Sequence, residues 1–181
     1  MAMIGLRLPV EIGTYLSTIA VPGTPVNFGH AHVTITYLGE DTAIDCVLSV
    51  IQACFDIAQQ VCPFTCTLDH VKSFPKGAEG FPIICPVTSP TLHNLKHCVD
   101  KALDQVSVPY SKKFPEYCPH TTLSYSDVSI PATSFPSLRW VAYDLVVWGG
   151  GMQDQSLVTT IPLHFDSAAV KVAHRFKTKA Q

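Results

Sequence analysis

Two hexapeptides in this chain are nearly interchangeable. His32-Val33-Thr34-Ile35-Thr36-Tyr37 and His120-Thr121-Thr122-Leu123-Ser124-Tyr125 share the pattern His-x-Thr-[Ile/Leu]-[Thr/Ser]-Tyr. Both are rich in β-branched and aromatic residues, as strands are. Side chains alternate along a strand, so His32, Thr34 and Thr36 are expected on one face and Val33, Ile35 and Tyr37 on the other. The same alternation points Tyr125 away from His120, and both tyrosines are assigned to the core. One such strand in each half of a 181-residue chain implies two pseudo-symmetric lobes that share a cleft.

The remaining segments fill out that plan. Ile4 to Val10 is expected to be a strand, followed by a loop marked by Pro22, Gly23, Pro25, Asn27 and Gly29. Asp41 or Thr42 can cap a helix whose apolar stripe is Ile44, Val47, Leu48, Ile51, Phe55 and Ala58. Asp45, Ser49, Gln52, Asp56 and Gln59 form its polar stripe. Strands are expected at Phe64 to Val71 and Phe81 to Val87, joined by a turn around Pro75, Gly77 and Gly80. Ser89-Pro90 starts a second helix, with Leu92, Leu95, Val99, Ala102, Leu103 and Val106 on one face. Three strands follow the motif-bearing loop: His120 to Tyr125, Trp140 to Trp148, and Leu157 to Leu163. The order β, β, α, β, β, α, β, β, β predicts an α+β domain of antiparallel sheet lobes with flanking helices over residues 1–166, and a basic tail over 167–181.

Composition narrows the class of ligand. Net charge is −2 and only 14% of residues are charged, against roughly 25% in an ordinary domain. A long nucleic-acid duplex is an unsuitable partner, because neutralising its phosphates takes many Lys and Arg. A small nucleotide or a short RNA needs only a few local donors. The seven cysteines include no Cys-x-x-Cys pair and read as reduced thiols. Met1 to Val10 is not read as a targeting segment, and no run is apolar enough for a membrane span. A cytoplasmic setting, a host's cytoplasm included, is the expectation.

The repeated pattern also carries chemistry. Residues i and i+2 of a strand share a face, so each imidazole lies beside a hydroxyl. Two such strands side by side offer two imidazoles and two hydroxyls to one phosphate. A neutral His can take a proton from water or a ribose hydroxyl, while a protonated His gives one to the leaving oxygen. Imidazole suits both tasks because its ordinary pKa is about 6.5. Thr34 and Thr122 can donate to the non-bridging oxygens. No cofactor or metal is expected, since no carboxylate cluster of the kind that holds Mg²⁺ is evident.

On these residues the sequence resembles the 2H phosphoesterases, also known as LigT-like or 2′-5′ RNA ligase-like proteins, which carry two His-x-Thr/Ser motifs. His32-Val-Thr-Ile-Thr-Tyr-Leu-Gly39 is similar to the first motif and Pro119-His-Thr-Thr-Leu123 to the second. The resemblance covers roughly residues 3–164. Gly5-Leu-Arg-Leu-Pro9 and the Tyr-Leu-Gly after the first motif are most similar to the phage-encoded branch. The resemblance implies a bilobal fold with a central cleft. It also implies metal-independent hydrolysis of 2′,3′-cyclic phosphates, of 2′-5′ or 3′-5′ linkages, or of cyclic nucleotides. Some phage members degrade the cyclic oligonucleotides of bacterial immunity (anti-CBASS activity). The rival of another class is a non-catalytic nucleotide-sequestering or RNA-binding module, and RNA end joining is a second enzymatic rival.

Other groups carry weaker signals. His30-Ala-His32 has no obvious third metal ligand nearby. His93 and His97, one helical turn apart, lack the Glu of a His-Glu-x-x-His site and are expected on a solvated face. Base-stacking candidates are Trp148, Tyr117, Phe28, Tyr15, Tyr110 and Phe114. Trp148 stands out because Gly149-Gly-Gly151 follows it. Lys112 and Lys113 are candidates for a flanking phosphate.

Overall fold

In the computed structural model, residues 2–39, 44–113, 116–149 and 156–164 are described. The expected cap at Asp41 or Thr42, the ring of Phe114 and the basic tail lie outside them. The chain runs β1 (Ala2–Arg7), α1 (Val10–Ser17), β2 (Thr24–Pro25), β3 (His32–Gly39), α2 (Ile44–Ala58), β4 (Phe64–Ser73), β5 (Phe81–Pro86), α3 (Leu92–Gln105), β6 (His120–Ser126), β7 (Thr133–Ala142), β8 (Asp144–Gly149) and β9 (Ser156–Pro162). A short 3-10 turn, Phe28–His30, leads into β3. Two antiparallel sheets result, with strand orders β3-β1-β8-β9 and β2-β6-β5-β4-β7. This is the α+β, two-lobed plan that the repeated hexapeptide implied. The lobes are interleaved rather than one per half: the C-terminal strands β8 and β9 complete the sheet that β1 and β3 begin.

The N-terminal strand is shorter than expected. It stops at Arg7, and Pro9 caps a helix at φ −56°, ψ 146°. Proline fixes φ and has no N–H to leave unsatisfied, so it suits a helix entry. The β-branched Ile12 and Thr14 masked this helix. Gly13 is required within it, because a Cβ there would lie 2.8 Å from the Phe28 carbonyl oxygen. That close approach docks α1 on the turn that precedes His32.

Two further expectations are corrected. The strand read over Trp140 to Trp148 is two strands in different sheets, β7 beside β4 and β8 beside β1, with the corner at Tyr143. The second correction concerns α2. Leu48 is 72% and Phe55 49% exposed, while Val50, Ala53, Cys54, Ile57 and Ala58 are buried. Its polar residues Asp45, Ser49, Gln52 and Asp56 occupy one narrow stripe, so the apolar face is wide enough for two stripes to compete. The small side chains of Ala53 and Cys54 let the helix approach β8 and β9 more closely than the bulky stripe would. In α3, Leu92, Leu95, Val99 and Leu103 are buried as expected, whereas Val106 is 43% exposed. One continuous core joins the two sheets and the helices, from Ile4 and Val33 to Leu123 and Trp140.

Candidate active site

The motif strands β3 and β6 lie against each other at the meeting line of the two sheets. Each breaks the alternation at its fourth residue. Gly5 pairs with Thr34 and Ile4 with Thr36, so Ile35 is an extra residue on β3. Ile84 pairs with Thr122 and Ile83 with Ser124, so Leu123 is the extra residue on β6. A β-bulge shifts a period of two by one, and everything after it changes face. Thr36 therefore turns inward. It is 1% exposed, and its hydroxyl donates to Asp100 Oδ1 at 2.8 Å. Ser124 turns inward likewise and donates to the Pro22 carbonyl at 2.7 Å. Tyr37 and Tyr125, expected in the core, come round to the side of the histidines. Tyr37 packs on Met3, Val146 and Trp148, and Tyr125 is 37% exposed on the face that carries His120 and Thr122. No sequence signal marks these bulges.

The histidines are held alike. His32 Nδ1 bonds to the His30 carbonyl at 2.9 Å, and His120 Nδ1 bonds to the Cys118 carbonyl at 2.7 Å. In both cases the acceptor is the carbonyl two residues upstream. A carbonyl can only accept, so Nδ1 carries the proton and Nε2 is left as the atom that takes or gives one. Burial lowers the pKa of both rings. Their carbonyl partners oppose that effect, and repulsion from a neighbouring histidine adds to it: His30 for His32, and His32 for His120. The two rings thus feel each other. Charging one makes charging the other harder, so the pair resists holding two protons at once.

An aromatic ring adjoins each imidazole. Trp148 lies 5.5 Å from His32, centroid to centroid, and Phe74 meets His120 edge-on at 4.7 Å. Trp148 reaches His32 across Gly5, where a Cβ would lie 3.1 Å from the indole and 2.5 Å from the Val33 carbonyl oxygen. Phe74 was not singled out in the sequence. It stands at a strand end directly before Pro75 and Gly77, the same kind of signal that marked Trp148. The Thr34 hydroxyl rests on Met3 Sδ at 3.6 Å, a weak acceptor that gives it up readily.

The other candidates disperse. The Tyr117 hydroxyl donates to the Thr34 carbonyl at 3.1 Å, and its ring meets His93 edge-on at 5.4 Å, so it braces β3 against the segment leading to His120. Burial pushes its pKa up. Phe28 packs on the core, and Tyr15 leans on Phe135 at 6.1 Å. Lys112 lies 5.0 Å from the Tyr110 ring and 3.8 Å from Asp104. Lys113 is exposed on the loop whose Ser111 N–H donates to the Tyr37 carbonyl at 2.8 Å. His93 and His97 are exposed. Among the described residues no group of three or more His, Cys, Asp or Glu is placed to hold a metal ion, and no helix is long and apolar enough to cross a membrane.

The profile of the 2′-5′ RNA ligase superfamily matches residues 22–146, a span that includes both hexapeptides. The chain belongs to this superfamily, the 2H phosphoesterases. Activity of the phosphoesterase or ligase type follows in general terms. The protein TT0787 of Thermus thermophilus has a similar fold, with a TM-score of 0.75 at 17% identity over 91% of this chain and 98% of that one. E. coli LigT complexed with 3′-AMP gives 0.70 at 18% identity, again over 91% and 98%. LigT complexed with ATP gives 0.66 at 18% identity over the same shares. No curated protein matches by sequence.

Proposed function

We propose that this 2H phosphoesterase is a metal-independent phosphodiesterase acting on a small nucleotide. The observation that carries the reading is the paired Nδ1 anchoring of two imidazoles on adjoining strands. The neutral member of the pair takes a proton at Nε2 from water or from a ribose hydroxyl. The oxygen so freed attacks phosphorus. The bond to the leaving oxygen breaks, and the protonated member delivers its proton there. Thr34 and Thr122 donate to the non-bridging oxygens as charge gathers on them. After this first transfer the two histidines have exchanged protonation states, so a second, hydrolytic step can run with their roles reversed and restore both. An arriving phosphate anion favours the singly protonated pair, offsetting the burial that disfavours it.

The substrate class is a 2′,3′-cyclic phosphate, a 2′-5′ linkage or a cyclic oligonucleotide messenger. Phe74 offers a ring face to a base, Trp148, buried beside His32, backs the imidazole rather than the base, and Lys113 stands ready for a flanking phosphate. A cyclic oligonucleotide substrate would place a phage-encoded enzyme against the host's nucleotide-based immunity, in the host cytoplasm. Support for nucleotide ligands comes from the relative LigT, whose structures hold 3′-AMP and ATP. The deciding experiment is a screen of cyclic and linear nucleotides with products identified by mass spectrometry, wild type beside the His32→Ala/His120→Ala double variant, with and without EDTA. Hydrolysis that survives EDTA and disappears in the double variant is expected. Ligand bound but recovered unchanged would make the protein a sequestering module instead. Activity lost to EDTA and restored by one divalent ion would end the metal-free mechanism.

A further inference from the structure

The sheet face that carries His120 and Thr122 continues past the histidine. Three residues of β5 and its extension mark levels along it. The Phe74 N–H donates to the Pro82 carbonyl at 2.8 Å, Pro86 pairs with His120, and Thr88 pairs with Thr67 of β4. Alternation keeps residues 82, 86 and 88 on one side. His120 therefore falls between the level of Phe74 and the level of Thr88. At the Thr88 level lies a hollow of about 610 Å³. Its floor is Thr65, Thr67 and Thr88, and its walls are the entry to α3 and the segment 116–119 that leads into β6. Cys118, whose carbonyl holds His120 Nδ1, belongs to that wall. The hollow thus adjoins the second half-site on the side away from Phe74.

The lining is polar without being cationic. The floor threonines bring hydroxyls, each a donor and an acceptor, and Glu116 adds a carboxylate. His93 and Tyr117 meet edge-on in the wall. Among the described residues that line the hollow there is no Lys or Arg, so a second phosphate has no cation to meet there. A neutral group rich in donors and acceptors suits it, as a ribose with its base does. The volume falls in the range of roughly 300–1,000 Å³ usual for small-molecule sites. We propose that this hollow is a nucleoside subsite, filled by the second nucleoside of a diester whose phosphate lies at His120 and Thr122 and whose first nucleoside lies on Phe74. This rests on the phosphodiesterase reading above and narrows its substrate class. A diester that joins two nucleosides, linear or cyclic, fills both places, whereas a nucleoside 2′,3′-cyclic phosphate fills one. The bond broken and the proton transfers are unchanged; the subsite contributes binding energy remote from the reacting atoms.

The test compares adenylyl-(2′→5′)-adenosine with adenosine 2′-(methyl phosphate), which undergoes the same cleavage but carries a methyl group in place of the second nucleoside. Adenosine 2′,3′-cyclic phosphate is the third probe. Two variants alter the hollow from different walls: Thr65→Trp fills it from an exposed strand position, and Glu116→Ala removes the carboxylate from an exposed loop. Wild-type protein is expected to favour the dinucleotide over the methyl ester in kcat/KM. Each variant should lower that preference about tenfold, the worth of one or two hydrogen bonds. A preference unaltered in both variants overturns the proposal. So does an equal loss on the dinucleotide and the methyl ester, which would mark a disturbed His120 rather than an emptied subsite. Should Thr65→Trp fail to fold, Glu116→Ala decides alone. Wild-type cleavage of the cyclic phosphate with both diesters left intact also overturns the subsite. Wild-type protein that leaves all three probes intact would instead overturn the phosphodiesterase reading, so the two failures are distinguishable.

Discussion

The strands β3 and β6 carry the same six-residue pattern, the same bulge and the same Nδ1 anchor, yet their surroundings differ. Around His32 everything is packed. Trp148 is 4% exposed and sits in the middle strand pairing of its sheet with Met3 and Val146. Behind the strand, Thr36 is bound to Asp100, which also receives Lys96 at 2.7 Å. Around His120 the walls are lighter. Phe74 comes from a turn, Tyr125 is 37% exposed, and Ser124 is tied to a plain backbone carbonyl. The anchoring of the imidazoles is duplicated, whereas the walls around them are not. In the proposed mechanism the rigid half would fix one side of the phosphate, and the lighter half is where ligand preference could vary without disturbing the fold.

The largest expected effect tests the symmetric part. His32→Ala and His120→Ala should each lower turnover by roughly 10²–10⁴-fold, measured on the same probe. Near-normal turnover in either variant would break the two-histidine mechanism. The aromatic neighbours should then separate the halves. Trp148→Ala is expected to cost ~3 kcal/mol in unfolding free energy, as a buried aromatic does. Phe74→Ala should leave stability nearly intact and raise KM about tenfold by removing a stacking face. Equal stability losses would mean that both walls are structural.

The polar backing gives a smaller contrast. Asp100→Ala strands the Thr36 hydroxyl and the Lys96 ammonium. With the Lys96 and Asp100 side chains 21% and 24% exposed, solvent softens the loss to roughly 1–3 kcal/mol. Ser124→Ala should cost about 1 kcal/mol. Urea midpoints of the two variants decide it, and a reversed order would contradict the tighter packing of the first half.

The smallest effect is the pH dependence of stability. Both histidines have folded-state pKa values lowered by burial, so the unfolded chain binds their protons more readily. Their contribution is complete above the unfolded value, about 6.5. It falls as pH drops through that value and levels off below the depressed folded values. Urea titrations across this range should show stability declining toward acid. His32→Gln and His120→Gln should each flatten the decline by a similar amount. A steeper decline in either variant would contradict the sign.

How much of this was legible beforehand follows from what each signal depends on. The hexapeptide repeat revealed the two strands, the paired His and Thr faces and the two-lobed plan, because period and residue type are local properties. The strand corner at Tyr143 was hidden, since Trp140 to Trp148 is continuously strand-like and only tertiary packing decides where a strand changes sheet. In α2 an apolar face wider than one stripe left the buried side to the packing of Ala53 and Cys54. The bulges at Ile35 and Leu123 were invisible for a related reason: an extra residue in a ladder is defined by its partner strand. That one missed feature misplaced Thr36, Tyr37 and Tyr125 together. Phe74 was missed although its position before a Pro-Gly turn matched the cue that found Trp148.

The contact between Trp148 and His32 also makes the protein its own optical reporter. Two coupled groups titrate as a pair, and bulk proton uptake does not say which ring carries the charge. An imidazolium quenches the emission of an indole in contact with it, whereas a neutral imidazole does so weakly. Trp148 touches His32, while the second of the two tryptophans, Trp140, lies in the main core. In a Trp140→Phe background the emission would follow one named histidine as substrate binds and leaves, turning a shared titration into a site-resolved one.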